Sequence, residues 1–239
     1  MTKNQNQNNE IGENYCPNCG NPRKLERIDA AYIKKEIGNF LCFRSGYLYT
    51  IKELIIRPQS VKEFLSESRY RLAKPIAFLL FTSVIYTVIN LFFHLGDYYA
   101  NEIIGEDATA IKLYKWLEKN YGYLNIGIGF FIALWTKVFF KKEGYNYFEI
   151  FILLCFLLGI VMLFDSIFGI AEGITKIHFA YIAQIVGMTY TIWATGRFFA
   201  NKPISYLKAF FANILGMLTF FITFSVICGI VLWGMGMQG

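Results

Sequence analysis

The stretch FEIFILLCFLLGIVMLFDSIFGI, residues 148–170, decides the fold class of this chain. Between Glu149 and Asp165 it carries no charged side chain. A helix of this length, at about 1.5 Å per residue, is long enough to cross roughly 30 Å of hydrocarbon. The stretch therefore predicts a membrane-spanning helix in which Asp165 is the exceptional residue.

Four more segments have the length and apolar character of membrane spans. They cover residues 75–95, 121–140, 177–200 and 209–234, to within a few residues at each end. Of the 239 residues, 55% are hydrophobic, and a water-soluble domain of that composition would expose too much apolar surface. We therefore predict an all-α, polytopic membrane protein with five transmembrane helices. The second segment departs most from the apolar pattern, because it is interrupted by Gly122, Asn125, Gly127 and Gly129.

The distribution of basic residues predicts the orientation of these helices. With a cytoplasmic N-terminus, 19 of the 23 Lys and Arg residues lie in residues 1–74 or around the connections that follow the second and fourth spans. The opposite side then holds only Lys112, Lys115, Lys119 and Lys176. Cytoplasmic loops carry such an excess of basic residues, so we predict an N-inside, C-outside protein of the cell inner membrane. The net charge of +6 thus has a topological explanation, and no nucleic-acid partner is predicted.

The residues before the first span divide into three parts. Residues 1–14 are polar and of low complexity, and we predict that they are disordered. Residues 15–26 contain a CxxC turn, and residues 27–74 have apolar side chains at helical spacing. Here we predict cytosolic amphipathic helices, at 27–43 and 47–56, that precede the transmembrane domain of residues 75–239. Such helices either lie on the anionic inner leaflet or pack on the cytosolic ends of the spans, and both alternatives are open.

A third short helix before the first span is predicted from a local signal. The sequence Ser60-Val61-Lys62-Glu63 has the pattern of a capping box, in which the first and last side chains each bond the other residue's backbone amide. We expect the helix to begin there and to run toward Pro75.

The order of motifs in residues 16–75 carries a family resemblance. The motifs are Cys16-Pro17-Asn18-Cys19-Gly20, Arg27-Ile28, Gly46-Tyr47-Leu48-Tyr49-Thr50-Ile51-Lys52-Glu53-Leu54, Pro58, Arg69 and Pro75. In this order the chain resembles the bacterial membrane proteins grouped as domain of unknown function 3667, and more distantly the five-span Yip1-like trafficking proteins. Members of the first family usually begin with two CxxC pairs, so the resemblance implies a degenerate zinc ribbon here. That family has no established activity, and the resemblance therefore implies architecture rather than function.

Cys16 and Cys19 have the spacing of half a zinc site. A structural zinc takes four ligands, and no such set can be assembled within one chain from the other cysteines and histidines, Cys42, Cys155, Cys228, His94 and His178. Three interpretations are open: two reduced thiols with no cofactor, a zinc ion shared by two protomers of a homo-oligomer, and a disulfide or redox pair. The reducing cytosol disfavours the third, and we favour the first.

Polar side chains near the outer ends of the spans form a second candidate site. Asp165 lies well inside an apolar run, where ionisable groups are functional candidates. His94 and His178 lie at the outer ends of their helices, with Glu172 nearby. Two interpretations are open: a proton or metal site in which Asp165 pairs with a histidine, and a hydrogen-bonded cluster reached by water. Further amides within the spans, typical of interhelical contacts, are Asn90, Asn125, Gln184 and Asn213.

The sequence contains no recognised catalytic motif, such as GxSxG, HExxH or a nucleotide-binding glycine-rich loop. We therefore predict a non-enzymatic scaffold or adaptor that organises the membrane through lipid or protein partners. The alternative is a small transporter or channel component that uses Asp165 and the amides within the spans. An enzyme acting on lipid is a third hypothesis. A cavity that reaches Asn125, Gln184 or Asp165 would favour transport, whereas a tightly packed bundle with a flat basic inner face would favour the scaffold.

Overall fold

The computed structural model describes residues 46–67, 71–93, 116–117 and 120–236, with side chains up to residue 229. All described residues belong to one unit of the chain, Phe43–Gly239. The α-helices described are α1 (Tyr47–Ile56), α2 (Ser60–Ser66), α3 (Pro75–Phe93), α4 (Tyr121–Phe139), α5 (Tyr147–Thr175), α6 (Ala180–Phe199) and α7 (Pro203–Gly236), with a 3₁₀ turn at Lys141–Glu143. Several predicted features lie outside the described residues: the disordered residues 1–14, the turn with Cys16 and Cys19, the helix at 27–43, and His94.

Helices α3 to α7 occupy the five ranges predicted to be membrane spans. Four of these helices are long and apolar enough to cross a membrane: α3, α4, α5 and the Pro203–Gly229 part of α7. The chain is therefore a multi-pass membrane protein, and the all-α prediction is confirmed within the described residues. Helix α6 has 20 residues, against 19 in α3 and α4, but it is less apolar than the other four.

Helix α5 lies at the centre of the bundle, with α3, α4 and α6 packed around it. Every residue from Leu153 to Ile160 is buried, whichever side of the helix it lies on. A helix that is apolar all round is typical of this central position. Helix α7 packs against α4 and α6 on the outside. The antiparallel course of α4 and α5 is shown by Tyr121, at the start of α4, which contacts Asp165 toward the end of α5.

The interface between α4 and α7 depends on a close backbone approach at Gly216. A Cβ added to this glycine would lie 2.6 Å from the Cα of Ile132, well inside van der Waals contact. In the same interface, Trp135 Nε1 donates a hydrogen bond of 3.3 Å to Thr219 Oγ1. Gly216 therefore allows the two helices to pack with their backbones in contact, as small residues commonly do in membrane bundles.

Helices α1 and α2 pack onto the end of the bundle formed by the start of α5 and the end of α6. Leu54 and Val61 are fully buried there. The rings of Phe64 and Phe156 meet edge to face, with 5.5 Å between their centroids. The Tyr190 hydroxyl of α6 donates a hydrogen bond of 3.1 Å to the carbonyl oxygen of Leu54. Of the two alternatives for these short helices, packing on the ends of the long helices is the one observed.

The predicted boundaries are right for α1 and the predicted cap is wrong for α2. Helix α1 covers Tyr47–Ile56, as its periodicity predicts. No side-chain hydrogen bond caps α2, and the buried Ser60 hydroxyl has no partner among the described residues. Glu63 pairs instead with Arg57, at 3.3 Å, and with Arg71. The capping box fails because Ser60 is already the first helical residue, with its side chain turned into the core.

A capping box does form at the start of α5. The backbone N–H of Glu149 donates to Asn146 Oδ1 at 2.9 Å, and the backbone N–H of Asn146 donates to Glu149 Oε2 at 2.7 Å. These two bonds satisfy amides that the first turn of a helix leaves free. They fix the residue at which the central helix begins, beside the packed helices α1 and α2.

Candidate functional site

A cavity of about 540 Å³ lies in the half of the bundle opposite α1 and α2. It is lined by the end of α3, the start of α4, the end of α5, the start of α6 and the end of α7, together with Leu117. Most of its wall is apolar. The polar side chains that reach it include Asn90, Tyr121, Asp165, Glu172, Gln184 and Ser225. The cavity thus brings together residues from five helices that are far apart in sequence.

Asp165 projects from α5 into this cavity and is half-buried. The hydroxyl of Tyr121 donates a hydrogen bond of 3.1 Å to Asp165 Oδ2. The Tyr121 ring packs in turn against the ring of Tyr86, with 4.7 Å between their centroids. Among the described residues, the partner of Asp165 is therefore a neutral tyrosine. Pairing with a histidine was one of the two open interpretations: in the described residues His178 lies against Glu172, and His94 lies outside them.

Glu172 lies two turns further along α5 and has a structural task. It is buried, and its Oε2 accepts a hydrogen bond of 3.1 Å from the backbone N–H of Phe179, the residue that precedes α6. Its Oε1 lies 3.2 Å from Nδ1 of His178. Lys176, which lies between Glu172 and His178 in the sequence, is the C-cap residue of α5 and has the left-handed conformation, with φ of 60°. Glu172 and His178 therefore hold the end of α5 to the start of α6.

The four amides predicted within the spans divide into two pairs. Asn90 and Gln184 line the cavity. Asn125 and Asn213 are buried and do not line it, although the side chain of Asn125 hydrogen-bonds Tyr121. Asn213 Nδ2 donates to the carbonyl oxygen of Ala209 in its own helix at 2.9 Å. Only the first pair therefore lines the cavity.

The cavity is partly open, and its exposed wall lies between α6 and α7. Its exposed lining residues are Gln184 on α6 and Phe221 and Ser225 on α7, whereas the lining residues of α3, α4 and α5 are buried or half-buried. At the other end of these two helices, Gly196 faces the ring of Tyr206. The exposed members of the described lining therefore lie on α6 and α7.

No group of three or more His, Cys, Asp or Glu side chains able to hold a metal ion occurs among the described residues. The zinc half site predicted at Cys16 and Cys19 lies outside them and stays a prediction. Sequence reasoning identified Asp165 and Gln184 but missed Tyr121. A tyrosine at the first position of a span gives no signal that distinguishes a site residue from an ordinary interfacial aromatic.

Comparison with known proteins gives one family match. The family described as "Protein of unknown function (DUF3667)" matches residues 44–87, which include α1, α2 and the first part of α3. This match supports the resemblance noted in the sequence over that region. No curated protein and no solved structure matches the chain. The Yip1-like resemblance and the zinc ribbon stay predictions.

Proposed function

We propose that this protein binds a small amphiphilic molecule within the membrane, as a transporter or carrier component. The binding site is the cavity that helices α3 to α7 line. The observation that supports this is the cavity itself, which reaches both Asp165 and Gln184. Its volume of about 540 Å³ lies within the range of about 300–1,000 Å³ that is typical of small-molecule sites. A mostly apolar wall with a few convergent polar groups is also typical of such sites.

The position of Asp165 supports the same proposal. A carboxylate within a membrane-spanning helix is costly, and such residues usually serve a ligand or ion pathway. Because the exposed lining residues lie on α6 and α7, we propose that a ligand dissolved in the bilayer enters between these two helices. A molecule with an apolar body and a polar head fits both the wall and the route.

A second proposed role concerns the opposite end of the bundle and keeps the scaffold hypothesis. Exposed basic residues are numerous there, and they include Lys52, Arg57, Arg71, Lys74, Lys141, Lys142 and Lys202. Basic residues beside membrane helices attract anionic lipid headgroups. We propose that this end contacts the anionic inner leaflet, or a partner protein bound to it, while the cavity serves the ligand.

We also propose that α6 completes a five-span, N-inside topology in the inner membrane. Its 20 residues match the 19 of α3 and of α4, and several of its polar side chains face the interior of the protein. Thr191 and Thr195 are buried, and Arg197 Nε donates to Gln59 Oε1 of the N-terminal helices at 3.0 Å. Polar side chains that face other helices lower the apparent hydropathy of a span without exposing polar atoms to lipid.

Ligand binding can be tested with the full chain in phosphatidylcholine nanodiscs and the neutral dye Nile red. We expect saturable binding above that of empty nanodiscs, at about one dye per chain for a single cavity. Ser225→Trp should abolish it, because Ser225 is an exposed residue at the mouth and a tryptophan there fills the opening. Val226→Trp is the matched control, since Val226 is 55% exposed and is not a lining residue. Equal binding by the two variants, or none by the parent protein, would refute the proposal.

A further inference from the structure

We infer that the cavity selects organic cations: molecules with a lipophilic body and a positively charged ammonium or similar onium centre that lies beside Asp165. This inference rests on the proposed ligand-binding function and specifies the class of ligand. Three properties of the described lining residues support it: their acidic charge, their aromatic rings and the absence among them of a metal-binding set.

The charged side chains among the described lining residues of the cavity are all acidic. Asp165 and Glu172 both line it, and none of its described lining residues is a lysine or an arginine. Glu172 already accepts a backbone N–H and lies against His178. Asp165 has Tyr121, a neutral donor, as its partner among the described residues. One neutral hydrogen bond compensates a carboxylate poorly in a low-dielectric setting, so a cationic ligand gains an attraction that a neutral or anionic ligand does not.

The wall of the cavity favours a cation with a diffuse charge. Its aromatic lining residues are Tyr86, Tyr121, Phe168, Phe220, Phe221 and Phe224. The faces of such rings attract cations within about 6 Å of the ring centroid, and quaternary ammonium groups are recognised in this way. Because the Tyr121 hydroxyl bonds Asp165 while its ring packs on Tyr86, the carboxylate and the aromatic surface are adjacent.

The described part of the wall offers no set of metal ligands. Hard divalent cations need about six or more oxygen ligands in the case of calcium, and near-octahedral coordination in the case of magnesium. The described residues bring no three metal-ligating side chains together. A bulky organic cation needs no such set, since it can be stabilised by one carboxylate and several ring faces. The chemistry therefore points to a lipophilic onium ion.

The test compares two probes of the same shape and opposite charge. The full chain in phosphatidylcholine nanodiscs is dialysed to equilibrium against radiolabelled tetraphenylphosphonium or tetraphenylborate, and binding to empty nanodiscs is subtracted. We expect saturable binding of the cation and none of the anion. Asp165→Asn should weaken cation binding by at least about tenfold, since it removes the charge and keeps the shape. The far-ultraviolet circular dichroism spectrum of this variant should match that of the parent protein, which shows that the fold is intact.

Glu143→Gln is the matched control for the loss of one negative charge, because Glu143 is exposed on the 3₁₀ turn at the other end of the bundle. It should leave the binding of both ions unchanged. If Asp165→Asn does not fold, Ser225→Lys and Ser225→Met decide the question. The lysine variant should bind the cation at least about tenfold more weakly than the methionine variant of similar length.

The outcomes separate the two proposals. In one outcome Nile red binds and Ser225→Trp blocks it, but the cation binds no better than the anion, or its binding is unchanged by Asp165→Asn and Ser225→Lys. The cation inference is then wrong and the proposed function stands. If Nile red and both ions show no saturable binding, the proposed function is wrong and the inference is refuted with it. Charge-selective binding that depends on Asp165 supports both.

Discussion

The close approach of α4 and α7 makes a quantitative prediction for Gly216→Ala. The new Cβ would lie 2.6 Å from the Ile132 Cα, against about 3.5–4.0 Å for carbon atoms in contact. Because the obstructing atom belongs to the backbone, no side-chain rotation relieves the clash, and the two helices must separate by about 1 Å. Overpacking of this kind lowers the free energy of unfolding by about 1–3 kcal/mol. Because no side chain can move to relieve this clash, we expect a loss of about 2–3 kcal/mol here.

The matched control is Gly229→Ala on the same helix, where an added Cβ meets nothing within 4 Å. Both substitutions gain the helix propensity of alanine, at most about 1 kcal/mol each, so this gain cancels in the comparison. We therefore expect Gly216→Ala to unfold more easily than Gly229→Ala by about 2–3 kcal/mol. The measurement is reversible unfolding in mixed micelles, with a rising fraction of dodecyl sulfate and far-ultraviolet circular dichroism as the signal.

The same substitution should weaken Nile red binding, because Phe220, one turn beyond Gly216, lines the cavity. A difference below about 0.5 kcal/mol between the two variants, the usual size of an uninformative surface change, would refute the reasoning. It would mean that α4 and α7 do not meet at Gly216 in the membrane.

Four further predictions concern other parts of the chain. Tyr190→Phe should lower the free energy of unfolding by about 1–2 kcal/mol, measured in mixed micelles, because it leaves the buried carbonyl of Leu54 without its donor. Asn146→Ala should cost about 1 kcal/mol in the same assay through loss of the cap of α5, and the Asp variant should restore most of it. A reporter enzyme that is active only outside the cytoplasm should be active when fused to the C-terminus; an inactive fusion in stably expressed protein would contradict the five-span topology. Metal analysis of the purified protein should find no zinc, whereas about one zinc per two chains would support a site shared through Cys16 and Cys19.

The positions of the long helices could be predicted from the sequence because the signal is local. Runs of apolar residues predicted spans at 75–95 and 121–140, and the helices cover Pro75–Phe93 and Tyr121–Phe139. The end of α5 was predicted about five residues too early, at 170 instead of Thr175. Hydropathy ends a span where polar residues begin, and this last turn carries Glu172, whose buried contacts exist only when α6 is in place.

The candidate site was predictable only in part, because a local pattern reveals single polar residues but not which helices pack together. Asp165 and Gln184 are conspicuous as polar residues in apolar runs, and both line the cavity. The role of Tyr121 depends on the packing of α4 against α5, which no local pattern encodes. The cap of α5 was missed because it begins with Asn146 rather than the Ser or Thr of the usual capping box, although asparagine is equally favourable at that position.

The packing of α1 and α2 bears on what the family match represents. The matched residues end at 87, within α3. The matched short helices nevertheless contact partners beyond that point. The ring of Phe64 meets that of Phe156 on α5, and the Tyr190 hydroxyl of α6 donates a hydrogen bond to the backbone carbonyl of Leu54. A peptide of residues 44–87 alone would therefore expose these apolar faces to water. In this chain the matched segment therefore packs on the later helices, and it is not a domain that can stand by itself.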